Sequence, residues 1–371
     1  MFNLAKARKL MEERGFDCVV ATSHDNVYYS SGSDISTIDM LKRLAAVIIP
    51  LDKDPVFAVH ANEQVTAHQA TWIKDTRVYE GGEWEPLRPI GFVADVLREK
   101  GLARAKIGIE LFDIQALCAD HLRQLLPSAE FSDCQPIFDK LRSVKSPEEL
   151  ELLSRANMAT AKAITVAFEM ARMGDTERNI AQNMMNLAIE YGADSIAFTT
   201  LAAGPNIFET HHVATGYKIE EGDLVHTDFG AFFKGYMSDI SRTAAVGRPD
   251  QTQLKAYDIA VQAERVAGET MQEGAKVIDV HNAVKRLYES GGHPYKRVFV
   301  GHAIGIGCHE IPFLGPSHGD WVLEAGMFFE VEPSIVIDYA RVHTEDSFIV
   351  GKGPARNVSE YRDVSQIQVI K

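Results

Sequence analysis

DLVHTDFGAFFKGYMSDISRT, residues 223–243, decides how this chain is read. Leu224, Val225 and Phe229 on one side and Ile240, Thr243 and Val246 on the other have the apolar and β-branched character of strands. Lys234-Gly235 lies midway and carries the turn signal. Pairing the strands with Asp228 opposite Asp239 puts the tip at Phe233–Lys234. Directly opposed residues share a face, with Cβ atoms roughly 5 Å apart. Two like charges that close destabilise each other and push one pKa up. A bound cation removes the conflict.

A second acidic ribbon follows in GHAIGIGCHEIP (301–312) and FFEVEPSIVIDYARVHTED (328–346). A tip at Asp338–Tyr339 sets Glu332 opposite Glu345. His302 adds a nitrogen donor on a loop whose small residues allow close backbone approach. The four carboxylates carry about −4, which two divalent ions would balance and one would not. Carboxylates can bridge ions roughly 3.5–4 Å apart, the spacing of hydrolytic metal pairs. An oxygen-rich set with one imidazole suits manganese, iron, cobalt or zinc better than a thiolate site would.

These residues carry a resemblance. The strings GPNIFETHH (204–212), TDFGAFFKGYMSDISRT (227–243), GHAIGIGCHEIP (301–312), EVEP (330–333) and TED (344–346) are similar to the pita-bread metallopeptidases. That family includes methionine aminopeptidase, prolidase, aminopeptidase P and the non-peptidase creatinase. The resemblance implies that Asp228 chelates one metal, that His302 and Glu332 bind the other, and that Asp239 and Glu345 bridge. It implies catalytic, non-ligand roles for His211 and His309. The reaction would be amide hydrolysis, with Glu332 shuttling the proton from water to the leaving amine. His212 would stand near the substrate or behind the residues that touch it.

The remaining composition agrees with an enzyme acting on small molecules. A length of 371 residues suggests two domains of roughly 150 residues each. Apolar residues make up 46% of the chain, enough for a substantial core. A net charge of −14 argues against nucleic acid or an anionic membrane surface as partner. No stretch approaches the ~18 apolar residues of a membrane span. The N-terminal segment has no apolar core of a signal peptide. Cys18, Cys118, Cys134 and Cys308 show no CxxC spacing and read as reduced thiols, so a cytoplasmic location is expected.

Residues 1–143 alternate strands and helices: helix 3–14, strands 18–22, 43–51, 56–60 and 106–111, helices 93–101 and 116–127. NVYYSSGS (26–33) resembles the N-terminal domain of prolidase and creatinase relatives, with an ordinary turn as the alternative reading. By resemblance that domain builds oligomer contacts, so a homodimer is expected, and it caps the site. Ser146-Pro147-Glu148-Glu149 is a capping box with Pro at the first helical position, so a long helix opens the catalytic part, 144–371. Further helices are expected to about Gly192 and over 251–273 and 277–290. The expected architecture is a small α/β domain followed by a pita-bread α+β domain.

The most specific expectation is a dinuclear hydrolase cleaving small peptides, of the Xaa-Pro dipeptidase or aminopeptidase kind. The alternative is a non-peptidase relative acting on another small C–N or C–S substrate. Two departures from the family pattern bear on substrate choice. His343 stands where many proline-cleaving relatives have Arg, and His226 stands where an apolar residue is common. Alternation puts His226 on the face of Asp228 and His343 on that of Glu345, within reach of the carboxylates or the substrate. Ala303 also replaces a usual glycine.

Overall fold

The computed structural model describes residues 2–82, 85 and 87–371. They form two compact units, Met1–Leu141 and Arg142–Lys371.

The first unit is built on one six-stranded sheet. Its strands are β1 (Cys18–Ala21), β2 (Ala46–Pro50), β3 (Val56–His60), β4 (Asp75–Tyr79), β5 (Lys106–Ile109) and β6 (Glu130–Asp133), in the order β4-β3-β2-β1-β5-β6. Only β2 runs against the rest. Alternation sends Val19, Val47, Ile49 and Phe57 to one face and Val20, Ile48, Val56 and Ile107 to the other. Helices cover both faces, as a mostly parallel sheet requires. On the first face lie α1 (Leu4–Arg14), α2 (His24–Ser31), α3 (Thr37–Leu41) and α4 (Gln64–Ala70). On the other lie α5 (Leu87–Glu99) and α6 (Ala116–Leu125). A seventh helix, α7 (Gln135–Ser143), packs Ile137 and Phe138 on the first face.

Of the two readings of residues 26–33, the ordinary turn does not hold: residues 26–31 lie in α2. Their β-branched and aromatic side chains are poor helix formers, yet the segment is held at both ends. The Ser23 side chain accepts from the Asn26 N–H, and Gly32 closes the helix at φ 78°. Asn26 Nδ2 also donates to the buried Glu110 at 2.6 Å. Tertiary hydrogen bonds therefore override local propensity.

The second unit holds two helix pairs and two larger sheets. The pairs are α8 (Pro147–Met170) with α9 (Glu177–Glu190), and α10 (Gln251–Thr270) with α11 (Val277–Ser290). The capping box at Ser146 is present, with Glu149 as its reciprocal partner. The first sheet contains β7 (Ser195–Ala203), β8 (Leu224–Phe233), β9 (Tyr236–Met237) and β10 (Ile240–Val246). The second contains β11 (Gly301–Ala303), β12 (Glu310–Phe313) and β13 (Phe328–Val331). Strands β14 (Ser334–Ile337) and β15 (Ala340–His343) form a separate ribbon, and β16 (Asp346–Ile349) returns beside β13. β17 (Arg356–Asn357) extends the second sheet, and β18 (Gln368–Ile370) extends the first. Each helix pair packs an apolar face on its sheet, α8 and α9 on the first and α10 and α11 on the second.

The two acidic ribbons differ in how they meet expectation. In the first, Asp228 pairs with Ser241, not Asp239. The turn is Lys234–Gly235, with φ 50° and 75°. Two successive positive φ values make the two-residue turn whose twist suits a hairpin, and that turn dictates the register. The two-residue shift leaves both aspartates on one face, because side chains alternate with period two. In the second, Ser334 pairs with His343 and Ile337 with Ala340, so the tip is Asp338–Tyr339 as expected. The same register continues as Val331 with Asp346. Between these ladders the ribbon opens at Glu332–Pro333 and Thr344–Glu345. Pro333 has no N–H to donate. The Glu345 N–H instead donates to the Ser241 carbonyl at 3.0 Å, joining the two ribbons.

Strand β11 must approach β13 closely to place His302. A Cβ on Gly301 would lie 2.0 Å from the Glu330 carbonyl oxygen. Gly301→Ala is expected to lose at least about 2 kcal/mol in urea denaturation, at the upper part of the usual overpacking range. Gly351, with open space around it, should accept alanine within about 0.5 kcal/mol.

Candidate metal centre and active site

Five expected ligands come together where the ribbons join. Asp228, Asp239 and Glu345 form one group with donor atoms within 4.8 Å of one another, and His302, Glu332 and Glu345 form another. A third, Asp239, His302 and His309, overlaps both. His302 Nε2 lies 3.7 Å from Asp239, 3.7 Å from Glu345 and 3.9 Å from Glu332. Asp239 sits just outside the ladder, its N–H held by Asn157 Oδ1 on α8 at 2.9 Å. Glu345 is fixed by the Ser241 hydroxyl at 3.0 Å.

The electrostatics of this cluster favour a cation. Asp239 and Glu345 are both pushed well above the carboxylate range, first by burial and then by neighbouring carboxylates, Asp228 among them. Asp228 Oδ1 and Asp239 Oδ1 are buried without a hydrogen-bond partner. Burial brings His302 down to about 4, so its imidazole is neutral. Its Nδ1 faces the Ala303 carbonyl at 3.1 Å, which places the proton there and leaves the Nε2 lone pair toward the carboxylates. Unpartnered buried oxygens, crowded carboxylates and a free imidazole lone pair are a donor set that fits divalent ions.

Glu332 behaves differently from its neighbours. Burial would raise it, but the Arg297 guanidinium and His343 outweigh burial and hold it far below the usual range. Arg297 Nη2 stands 2.5 Å from Glu332 Oε2, and His343 Nε2 stands 3.5 Å from the same oxygen. His226 Nε2 is 3.0 Å from His343 Nδ1. The two histidines and Glu332 form a file in which His226 is buried behind and His343 faces the cavity.

The cavity over this cluster measures about 550 Å³. His211 and His309 line it, the rings of His302 and His309 being 4.1 Å apart. Tyr288, Tyr295 and Ile335 give it an apolar wall, and Arg297 and Arg341 a cationic one. His212 does not line the cavity and stands behind His211 instead. Its Nε2 lies 3.0 Å from the buried Glu177 and its Nδ1 2.7 Å from Glu209. Glu177 also accepts from Ala203, Asn206 and Thr215. His212 thus pins the loop that presents His211.

Two contributors, Arg341 and Arg297, were not singled out in the sequence, whereas Cys308 and the structural ion pair of Arg242 were. Arg341 stands two residues before His343 on the same strand face, so period-two alternation could have found it. Arg297 lies in an aperiodic stretch with no such signal. Cys308 Sγ donates to Asp239 Oδ2 at 3.1 Å, and burial followed by Asp239 raises its thiol far above the ordinary value. Arg242 bonds Asp346 at 2.7 Å and the Glu345 carbonyl at 2.6 Å, a structural clamp on the ligand strand.

The comparisons with known proteins agree with this geometry. Residues 151–352 match metallopeptidase family M24, and residues 3–144 match the creatinase/prolidase N-terminal domain. The chain belongs to family M24 and is a metal-dependent peptide hydrolase. It is 29% identical over 359 residues to the Xaa-Pro dipeptidase of Lactobacillus helveticus, covering 94% of both chains. It is 28% identical over 362 residues to that of Pyrococcus furiosus, covering 96% of this chain and 97% of the relative. Among solved structures, a dipeptidase from Pyrococcus horikoshii superposes with a TM-score of 0.86 at 28% identity, with 99% of each chain covered. An Xaa-Pro dipeptidase from Bacillus anthracis superposes with a TM-score of 0.87 at 25% identity, again with 99% covered.

Glu310, next to His309, is clamped rather than free. It accepts from Arg142 at 2.5 Å, from Lys145 at 2.8 Å and from the Gly307 N–H at 3.2 Å. Burial pushes its carboxyl up, but the two cations prevail and lower it. A lowered carboxyl stabilises the fold above its unfolded value of ~4.3 and loses that contribution as pH falls through the folded value. Glu310→Gln in the metal-free chain should therefore cost about 3 kcal/mol at pH 7, because two buried cations lose their partner. Chemical denaturation should show the gap to wild type narrowing below about pH 4.

Proposed function

We propose that the chain is a two-metal dipeptidase of the Xaa-Pro type, with Asp228 on one ion, His302 and Glu332 on the other, and Asp239 and Glu345 shared. The observation that carries the dipeptide reading is Arg341. Its guanidinium faces the cavity and, among the described residues, meets no carboxylate within ion-pair distance. It donates to Ser334 Oγ at 2.9 Å and stands 3.5 Å from His343 Nδ1. A cation left without a counter-charge in a half-buried wall suits an anionic substrate group. In a dipeptide the free carboxylate lies only three bonds from the scissile carbonyl carbon. Arg341, His343 and Glu345 project from alternate positions, roughly 7 Å apart along the chain, so a carboxylate on Arg341 brings the amide over the carboxylate cluster.

Manganese, cobalt, zinc or iron ions bound there would supply a water acidic enough to ionise near neutral pH. The chain's own groups do the rest. Glu332 takes the proton and returns it to the leaving amine, while His343, backed by His226, holds its outer oxygen. His309 and His211 donate to the carbonyl oxygen as negative charge develops on it. The proline preference rests on the relatives' names. A cytoplasmic homodimer completes the reading on likeness alone.

Arg341→Ala should raise KM for Ala-Pro about 10- to 100-fold with kcat little changed, the loss of one charge-assisted contact. The same substitution should leave a C-terminally amidated substrate unaffected. Equal effects on both substrates would show that Arg341 does not read a carboxylate.

A further inference from the structure

Cys308 touches the carboxylate cluster without lining the cavity. It packs against the apolar cluster of Leu153, Met237, Ile304 and Phe328. Its loop, between β11 and β12, is held from two sides. The Met237 N–H donates to the Gly305 carbonyl at 2.8 Å, and Glu310 is anchored by Arg142 and Lys145. Three consecutive residues thus take different roles. Glu310 fixes the loop, His309 stands over His302, and Cys308 turns its thiol to Asp239 Oδ2 at 3.1 Å.

Which oxygen the thiol reaches is decisive. Asp239 Oδ2 is also the oxygen of that carboxylate nearest His302 Nε2, at 3.7 Å. Asp239 Oδ1 has no partner, and the residue is only 4% exposed. Glu345, the other shared carboxylate, has the reverse arrangement. Its Oε1 is the oxygen nearest His302 Nε2, again at 3.7 Å, while the Ser241 hydroxyl donates to Oε2 at 3.0 Å. Each shared carboxylate is therefore held by one donor, on the His302 side for Asp239 and on the far side for Glu345. A carboxylate oxygen has two lone pairs, so Oδ2 can bind an ion and accept the S–H together. Sulfur packs well among apolar side chains, so this donor is buried at little cost.

We propose that Cys308 is a positioning residue for Asp239: its S–H holds Oδ2 toward the ion on His302, so that this ion depends on the thiol and the ion on Asp228 does not. The inference rests on the two-ion reading of the five ligands. It makes the two ion sites unequal through a side chain that binds neither ion.

The test is titration of the metal-stripped full chain with cobalt(II), in wild type, Cys308→Ala, Cys308→Val and Cys308→Ser. Equilibrium dialysis counts the ions bound. Proton NMR reports the His302 side, because the ring N–H of an imidazole bound to high-spin cobalt gives a strongly shifted, exchangeable resonance. Loss of an outer partner of a metal ligand typically weakens binding about 10- to 100-fold. Cys308→Ala should therefore need at least about 10-fold more cobalt to raise the His302 resonance, with the other ion changed less than about 3-fold. Cys308→Val, which keeps apolar packing but no donor, should do the same. Cys308→Ser, which restores a donor, should recover most of the loss. An unchanged His302-side ion in both Cys308→Ala and Cys308→Val would overturn the assignment, as would equal weakening of both ions with no recovery in Cys308→Ser. Wild type that takes up fewer than two ions would overturn the two-ion reading and this inference with it, so the wild-type count tells the two failures apart.

Discussion

Crowding of carboxylates in a buried pocket is the constraint on which the rest of this structure depends. Asp228, Asp239 and Glu345 share one small volume, with Glu332 alongside. Placing like charges this close out of water is unfavourable without a counter-charge. The surrounding fold supplies rigid support rather than relief. Asn157 holds the backbone of Asp239, Arg242 clamps the carbonyl of Glu345, and the Ser241 hydroxyl reaches its side chain. The cost of assembling the cluster is thus borne by packed strands, β10 among them, and by helix α8, and divalent ions would offset it when bound.

The two ends of the cavity carry opposite character for a reason. The cluster is anionic and suited to ions. The wall beyond Glu332 carries Arg297, Arg341 and His343, which on the proposed reading would draw the anionic end of a peptide. Glu332 stands at the junction, in contact with Arg297 and His343 on one side and near His302 on the other. Its low pKa, set against the raised values of Asp239 and Glu345, separates a carboxylate that is ionised in the metal-free chain from two that need a cation to ionise. On the proposed reading, metal binding and substrate orientation would be joined through that one side chain.

Much of this was legible before any coordinates. Period-two alternation located the carboxylates because burial on one face of a ribbon leaves its mark on every second residue. The second hairpin register followed from setting Glu332 opposite Glu345, and the tip at Asp338–Tyr339 is as expected. The first was misplaced by two residues, since Lys234–Gly235 as a pair of left-handed residues was not distinguished from Phe233–Lys234. The shared face survived that error, because a two-residue slip does not change which side a chain points to. The helix at His24–Ser31 was missed because its stability comes from Ser23, Gly32 and Glu110, not from its own propensities. His212 illustrates the limit of motif reading. Adjacent to His211, it faces the other way, into Glu177, and only the three-dimensional path of the loop shows it. Arg297 left no periodic trace at all.

What decides the account is how many ions the chain takes up, and where. Metal-stripped protein loaded with manganese should be analysed by elemental analysis and by anomalous X-ray scattering from crystals. The expected result is two ions per chain, roughly 3.5–4 Å apart, one bound by Asp228, the other by His302 and Glu332, with Asp239 and Glu345 touching both. A single ion, none, or ions lodged away from these five side chains would contradict it.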